Sequence, residues 1–158
     1  MERSLAIYSS AVGAILVEHS EDNRLTRLQI LDVMPSDLGH ATPFADAVFR
    51  QVEEYLCGRR RHFDIDLDLS GCTPFQRVVL VELQRIPYGQ TRSYKDVATA
   101  IGNPKASRAV GAANHKNPIH IIIPCHRVIG SGGALTGYAA GVDTKESLLE
   151  LERGDVKR

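Results

Sequence analysis

Cys125 and His126 stand side by side at the end of an apolar run, Ile121-Ile122-Ile123-Pro124-Cys125-His126-Arg127-Val128. A thiol is a strong nucleophile only as thiolate, so a cysteine beside a potential base marks a candidate site of nucleophilic chemistry. The pair alone is ambiguous, because a cysteine after three isoleucines also serves as a small core residue. Adjacency does not join the two side chains: sequence neighbours point to opposite sides of an extended segment and do not face each other on a helix. A water bridge from His126 to the thiol solves this, with a third group orienting the imidazole. Glu152 is the candidate for that group. In the last helical pattern Leu148, Leu149 and Leu151 define an apolar arc with Glu152 near its middle, whereas Glu146 and Glu150 fall opposite. Glu152 also lies in the final turn before Gly154, where the helix dipole disfavours an anion. A carboxylate held there needs a partner, His126 or an arginine.

The elements that position these residues are legible in outline. Leu5–Tyr8, Val12–Val17 and Leu25–Leu31 read as strands, with a turn at Asp22-Asn23. Thr42-Pro43 is a helix start, and the pattern runs through Phe44, Val48, Val52, Tyr55 and Leu56 to Gly58. Residues 63–69 alternate strictly, predicting a half-buried strand whose outer face carries Asp64, Asp66 and Asp68. Ser70-Gly71-Cys72 reads as a connection, and Thr73-Pro74-Phe75-Gln76 opens a capped helix over 75–86. Ser93 caps a short helix over 94–101, Gly102-Asn103-Pro104 breaks it, and a second helix follows over 105–114. Two short helices joined by a tight turn form a helix-turn-helix. The last helix starts at Asp143, with Glu146 as its cap partner. The fold class is therefore α/β (α+β): a small N-terminal sheet-plus-helix domain over 1–70, then a mainly helical domain over 71–158 carrying the helix-turn-helix.

Charge separates the same two halves. Residues 1–74 hold seven Lys/Arg against twelve Asp/Glu, and 75–158 hold twelve against seven, so a net charge of zero conceals a split. From Arg92 to Arg127 the cations Arg92, Lys95, Lys105, Arg108, Lys116 and Arg127 are opposed only by Asp96, a local footprint for a polyanion. The second helix of the motif, Lys105-Ala106-Ser107-Arg108-Ala109-Val110-Gly111-Ala112-Ala113-Asn114, is thin. Readers of base sequence use several Arg, Asn or Gln forks, whereas here Arg108 is the one long fork. Such a helix fits close to a nucleic-acid backbone and recognises shape. Three cysteines without a C-x-x-C oppose a disulfide framework and a zinc knuckle, and the histidines lack metal-ligand spacing, so neither metal nor cofactor is expected. Lacking a secretory h-region or a membrane-spanning apolar run, the chain is expected in the cytoplasm, or in the nucleus of a eukaryote.

From about Phe75 to Glu152 the chain resembles the O6-alkylguanine-DNA alkyltransferases, single-use repair proteins also called methylated-DNA–protein-cysteine methyltransferases. The resemblance runs through Ser93-Tyr94, Gly102-Asn103-Pro104-Lys105, Arg108-Ala109-Val110-Gly111, Asn117-Pro118, Pro124-Cys125-His126-Arg127-Val128, Gly137-Tyr138 and Leu148-Leu149, without gaps between blocks. It implies that Cys125 accepts the alkyl group, that His126 and Glu152 activate it, and that Asn117 braces the turns around it. Arg108 is implied to enter the base stack, and Tyr94 to rotate the phosphate and assist protonation of the departing guanine. Ser93, Lys105, Ala106, Ala109 and Lys116 are implied DNA contacts. Tyr138, Val128, Ala139, Ala140 and Lys145 are implied to line the alkyl pocket, with backbone groups of Cys125 and Val128 on the guanine edge. The implied partner is double-stranded DNA containing O6-alkylguanine (O4-alkylthymine in addition), bound by a monomer without sequence preference and with no membrane involved. Four departures bear on substrate range: Ala139 where some relatives have serine, Ala140 where glycine is common, Ser147 for a frequent tryptophan, and His120 for proline in the pocket wall. The main alternative is a lesion-binding module that flips the base and signals without removing the alkyl group, but such modules lack the cysteine. A transcription regulator is opposed by the alanine-rich helix, and a cysteine hydrolase by the lack of a separate oxyanion motif.

Overall fold

The computed structural model describes residues 2–135, 138 and 140–154. It divides into two compact units: the chain up to Leu69 together with Pro118–His120, and Ser70–Asn117 together with the chain from Ile121 onward.

The first unit is built on three antiparallel strands in sequential order, β1 (Arg3–Ser10), β2 (Gly13–Ser20) and β3 (Leu25–Leu31). Apolar residues on both faces of β2 make it the buried centre. Ile15 and Val17 point one way, while Ala14 and Leu16 pack with Ile7 on the other. Helix α1 (Pro43–Leu56) packs on β1 and β2 through Ala45, Val48, Val52 and Tyr55, a spacing that forms one helical face. Its N-cap Thr42 accepts the Ala45 N–H, with proline at the first helical position. The segment 63–69 does not form the strand that its alternation predicts. It docks on the edge of β3 at one point, where Leu25 N–H donates to Asp66 and Asp68 N–H donates to Leu25. Pro118–His120 meets the same strand at Leu28, so two short chain segments shield its open edge. His120 belongs to this arrangement, its Nδ1 accepting the Ile30 N–H.

The second unit holds α2 (Pro74–Leu83), β4 (Arg92–Ser93), α3 (Tyr94–Ala100), α4 (Ser107–His115), a 3-10 turn (Cys125–Arg127), β5 (Val128–Ile129) and α5 (Val142–Arg153). Thr73 and Gln76 form the expected capping box of α2, which ends at Leu83 because Ile86 N–H turns back to Leu83. Ser93 caps α3 through a second box with Asp96. Helix α4 starts two residues later than its sequence pattern, after a turn in which Ala106 N–H bonds Asn103. Helix α5 starts one residue earlier than expected, from Gly141 at φ +99°, and the Asp143–Glu146 box does not form because Asp143 already lies inside the helix. Val79, Leu80, Leu83, Val97, Val110, Leu148 and Leu149 fill the core of this unit. Strands β4 and β5 pair in parallel, Arg92 with Val128 and Ser93 with Ile129, tying the start of the helix-turn-helix to the segment after Cys125.

Candidate active site

Backbone geometry delivers the cysteine. Pro124 sits at φ −80°, ψ 63°, an inverse γ-turn closed by Cys125 N–H donating to Ile123 O at 2.7 Å. Proline suits this position, since its ring already sets φ and the turn asks nothing of its missing N–H. Cys125–Arg127 then winds as a single 3-10 turn, so of the two geometries open to this pair from sequence it is a helical turn that carries Cys125 and His126. Ile121 lies at φ +71°, a left-handed conformation that costs a β-branched residue about 1–3 kcal/mol and that only the surrounding packing sustains.

The side chains of this turn converge on α5. Its buried face is Lys145, Leu148, Leu149 and Glu152, the i, i+3, i+4, i+7 stripe of a helix packed on a core, but with a charged residue at each end. Glu152 Oε2 lies 2.6 Å from His126 Nε2. Arg127 donates from Nε to Oε1 at 2.7 Å and from Nη2 to Oε2 at 3.0 Å, and Gly89 N–H adds a bond to Oε1 at 3.2 Å. Arg127 Nη1 also donates to Ile86 O, at 2.7 Å. Both alternatives for the partner of Glu152, His126 and an arginine, are thus realised together.

These contacts set the protonation states. Burial by itself raises the Glu152 carboxyl, but the hydrogen bonds and charges of His126 and Arg127 outweigh it and hold the group well below the usual carboxylate range. His126 is fully buried, and that burial lowers its pKa against the opposing pull of Glu152, with the charges of Arg127 and Lys145 adding to the lowering. A neutral imidazole facing an acceptor-only carboxylate must carry its proton on Nε2. Its lone pair is therefore on Nδ1, the form of a base. Burial pushes the Cys125 thiol up to about 11, although a hydrogen bond from Asn117 and the charge of Lys145 pull the other way. The resting nucleophile is a thiol that needs a base.

Asn117, buried beside the turn, also donates from Nδ2 to Ile123 O at 2.8 Å. Lys145 is buried and donates from Nζ to Val128 O at 2.6 Å, with Nζ 5.9 Å from the centre of the Tyr94 ring. Burial lowers the Lys145 pKa, opposed by the Cys125 charge. Tyr138 and Ala140 are buried, and burial followed by the charges of Cys125 and Glu152 raises the Tyr138 phenol well above its ordinary value. Ala139 and Gly137 lie outside the described residues.

Residues 74–154 match the family described as 6-O-methylguanine DNA methyltransferase, DNA binding domain, and residues 5–69 match its ribonuclease-like domain. The chain belongs to the 6-O-methylguanine DNA methyltransferase family. A methylated-DNA–protein-cysteine methyltransferase of Methanosarcina acetivorans is 48% identical over 93% of this chain and 96% of its own. One from Mycolicibacterium paratuberculosis is 50% identical, over 91% of this chain and 88% of its own. The crystal structure of the Mycobacterium tuberculosis O6-methylguanine methyltransferase superposes with a TM-score of 0.87 at 39% identity, covering 99% of this chain and 96% of that one. The M. tuberculosis OGT protein in complex with DNA superposes at 0.85 with 42% identity, covering 95% and 92%.

In this methyltransferase-family chain the expected DNA-contacting residues lie on the helix-turn-helix. Arg108 and Ala109 are exposed in the first turn of α4, with Lys105 exposed and Ala106 half-buried just before it, and Lys116 exposed at its end. Ser93 and Tyr94 are half-buried at the start of α3, where the Ser93 hydroxyl accepts the Asp96 N–H. Ala106 offers α4 no side-chain cap, which leaves its first N–H groups for an anion. Sequence reasoning missed Asn114. Buried with Val110 and Ala113 on one face of α4, it donates from Nδ2 to Cys125 O at 3.3 Å. Its i+4 spacing from Val110 was the available signal.

Proposed function

We propose that this protein repairs DNA by transferring the alkyl group of O6-alkylguanine, and of O4-alkylthymine in addition, irreversibly to Cys125. The observation that carries the reading is the buried Cys125–His126–Glu152–Arg127 constellation, in which a neutral imidazole with its base lone pair on Nδ1 stands beside a protonated thiol. The identity with relatives named as methylated-DNA–protein-cysteine methyltransferases supports it over most of the chain.

An O6-alkyl group is enclosed in the stacked duplex, so the nucleotide is rotated out, at a cost of roughly a few kcal/mol. Arg108 fills the gap in the stack, while Lys105, Lys116, Ser93 and the small residues Ala106 and Ala109 let α4 lie against the backbone. That geometry recognises shape, so binding is without sequence preference. The base then enters a pocket walled by Tyr138, Val128, Ala140 and Lys145. A proton leaves Sγ for Nδ1 of His126 across a bridging water, and Glu152 stabilises the imidazolium that forms. The thiolate attacks the alkyl carbon, an S–C bond forms, the C–O6 bond breaks, and its electron pair departs with guanine. Tyr94 supplies a proton to the departing base, and Asn117 holds the turn throughout. The product is a thioether, which has no easy route back to thiol, so one molecule repairs one lesion. The work divides near residue 70: the part from 71 on carries the residues of the chemistry, and the part up to 70 carries no catalytic residue of this reading. Among the described residues no helix is long and apolar enough to cross a membrane, in keeping with a cytoplasmic or nuclear place of work.

The test is mass spectrometry of the intact protein and its peptides after incubation with duplex DNA containing O6-methylguanine. One added methyl on the Cys125 peptide, saturating at one per molecule, is the expected result. Binding with no change in mass overturns the transfer reading.

A further inference from the structure

We propose that Tyr88 is a positioning residue for the transfer, its ring holding Arg127 on Glu152 and thereby keeping His126 in place as the base. The inference rests on the transfer reading above and deepens it by naming what holds the relay still.

Tyr88 lies in a tight turn between α2 and β4. Pro87 O accepts the Gln90 N–H at 3.0 Å, and Gly89 takes φ +80°, as the third residue of a type II turn does. A side chain at Gly89 would be strained by that φ, and its Cβ would lie 3.3 Å from the Glu152 backbone oxygen. This short segment touches the relay repeatedly. Ile86 O accepts Arg127 Nη1 at 2.7 Å, and the Gly89 N–H donates to Glu152 Oε1 at 3.2 Å. Between them, the guanidinium carbon of Arg127 lies 5.7 Å from the centre of the Tyr88 ring.

Each contact engages a different part of the ion pair. A carboxylate offers about four acceptor sites, and Glu152 fills them with His126, two bonds from Arg127 and the Gly89 N–H. A guanidinium donates only in its own plane, where Glu152 and Ile86 O take Arg127. Those bonds leave the flat face of the cation, and an aromatic ring is the side chain that favours it. Tyr88 is half-buried and Arg127 is buried, so the ring covers the cation and keeps water from the pair.

The effect reaches His126 through burial. The charged and titratable groups around His126 are Glu152 and Lys145 on α5 with Arg127 and Cys125 on its own turn, and Tyr138 lies near the same charges. Replacing Tyr88 alters none of them. It admits water, and burial is the largest influence holding the imidazole neutral. With less burial the imidazolium forms more readily, so less of the base is available at acid pH.

Single-turnover transfer from an O6-methylguanine duplex, followed from about pH 5 to about pH 9, tests this together with the NMR titration of His126 in the DNA-free protein. Tyr88→Leu should move the rising limb and the imidazole titration together to higher pH, by about half a unit or more, which is about threefold in rate on the limb. DNA affinity should stay as in wild type. Tyr88→Phe, which keeps the ring, should keep both curves in place. A Tyr88→Leu protein whose limb and titration do not move overturns the proposal, whether or not its Tm falls. So does a Tyr88→Phe protein that shifts as far as Tyr88→Leu, because the hydroxyl and not the ring would then be responsible. If Tyr88→Leu does not fold, Tyr88→Met carries the same comparison. Failure of the transfer reading is a separate result: the wild-type protein then adds no methyl to Cys125, while the His126 titration still reads the role of Tyr88.

Discussion

Arg127 and Glu152 interlock as two forks, Nε on Oε1 at 2.7 Å and Nη2 on Oε2 at 3.0 Å, with both side chains buried. The consequence falls on a third residue. An arginine cannot lose its proton under any ordinary condition, so it neutralises the carboxylate permanently. His126 is released from that duty and stays a neutral base while still hydrogen-bonded to Glu152. Burial is the main influence that keeps His126 neutral, and the Arg127 charge adds to it against the opposing pull of Glu152.

Arg127→Met should therefore shift the pH dependence of transfer. The Arg127 charge is one of the influences that lower the His126 pKa, so its removal raises that pKa. Transfer requires neutral His126, and the rising limb of the single-turnover rate should move to higher pH. The variant should also lose about 3–5 kcal/mol of stability, because a buried carboxylate is left short of a partner. A limb that stays in place would show that the charge of His126 is set elsewhere.

Glu152→Gln tests the relay from the other end. A glutamine can present its NH2 to Nε2, which pushes the imidazole proton to Nδ1 and removes the base lone pair from the thiol side. Transfer should slow by about 10²- to 10⁴-fold, the range of a lost general base. Acid stability should change too. The folded carboxyl titrates below its unfolded value of 4.5, so its contribution is complete above that pH and is lost as pH falls through the folded pKa. Thermal melts from pH 6 downward should decline less steeply for the variant than for wild type.

Arg108→Ala should separate base rotation from chemistry. Arg108 is exposed on α4, and no contact of the Cys125 turn depends on it. Its proposed task exists only where a base stack must be filled. Transfer from a lesion in duplex DNA should fall much further than transfer from the same lesion in a single strand, where little unstacking is needed. Equal losses on both substrates would place Arg108 in general DNA attraction.

The residues show where sequence reasoning succeeded and where physics hid the answer. Glu152 was visible because a carboxylate in an apolar stripe at the wrong end of a helix is a local contradiction, and its partners bear this out as an ion-paired group. Thr73 and Ser93 were visible as caps, since capping depends on residues within one turn. The strand expected over 63–69 was not found, because alternation records burial of one face and says nothing of whether a neighbour pairs along the whole length. Lys145 continues the stripe that holds Glu152, but its bond to Val128 O joins residues seventeen apart, which no local pattern encodes. Asn114 was hidden by composition. In a helix so rich in alanine it read as the terminal residue, although its spacing from Val110 placed it inside.

Methylation of Cys125 should loosen the fold. The thiol is buried and bonded to Asn117, so an added methyl enters a packed site and weakens that bond. Overpacking of this kind costs typically 1–3 kcal/mol. The methylated protein should melt below the unmodified one, and a Tm that does not fall would mean the pocket already holds space for the group.

The same thiol should give the protein a distinctive alkaline weakness. In the unfolded chain Cys125 ionises near 9.0, whereas in the folded protein it is held up to about 11. Folding therefore favours the protonated thiol. The contribution is fully present below pH 9, drains away as the unfolded state ionises first, and is gone above pH 11, for a total of up to about 3 kcal/mol. Other groups titrate in this range, so the informative quantity is a difference. Chemical denaturation of wild type and of Cys125→Ala should yield stability curves that converge or cross between pH 9 and 11, with wild type losing more. The S-methylated protein, which has no thiol to ionise, should follow the alanine variant in slope although it starts from a lower stability. Parallel curves for wild type and Cys125→Ala would mean that the folded thiol ionises as easily as the unfolded one, and that burial does not hold its proton.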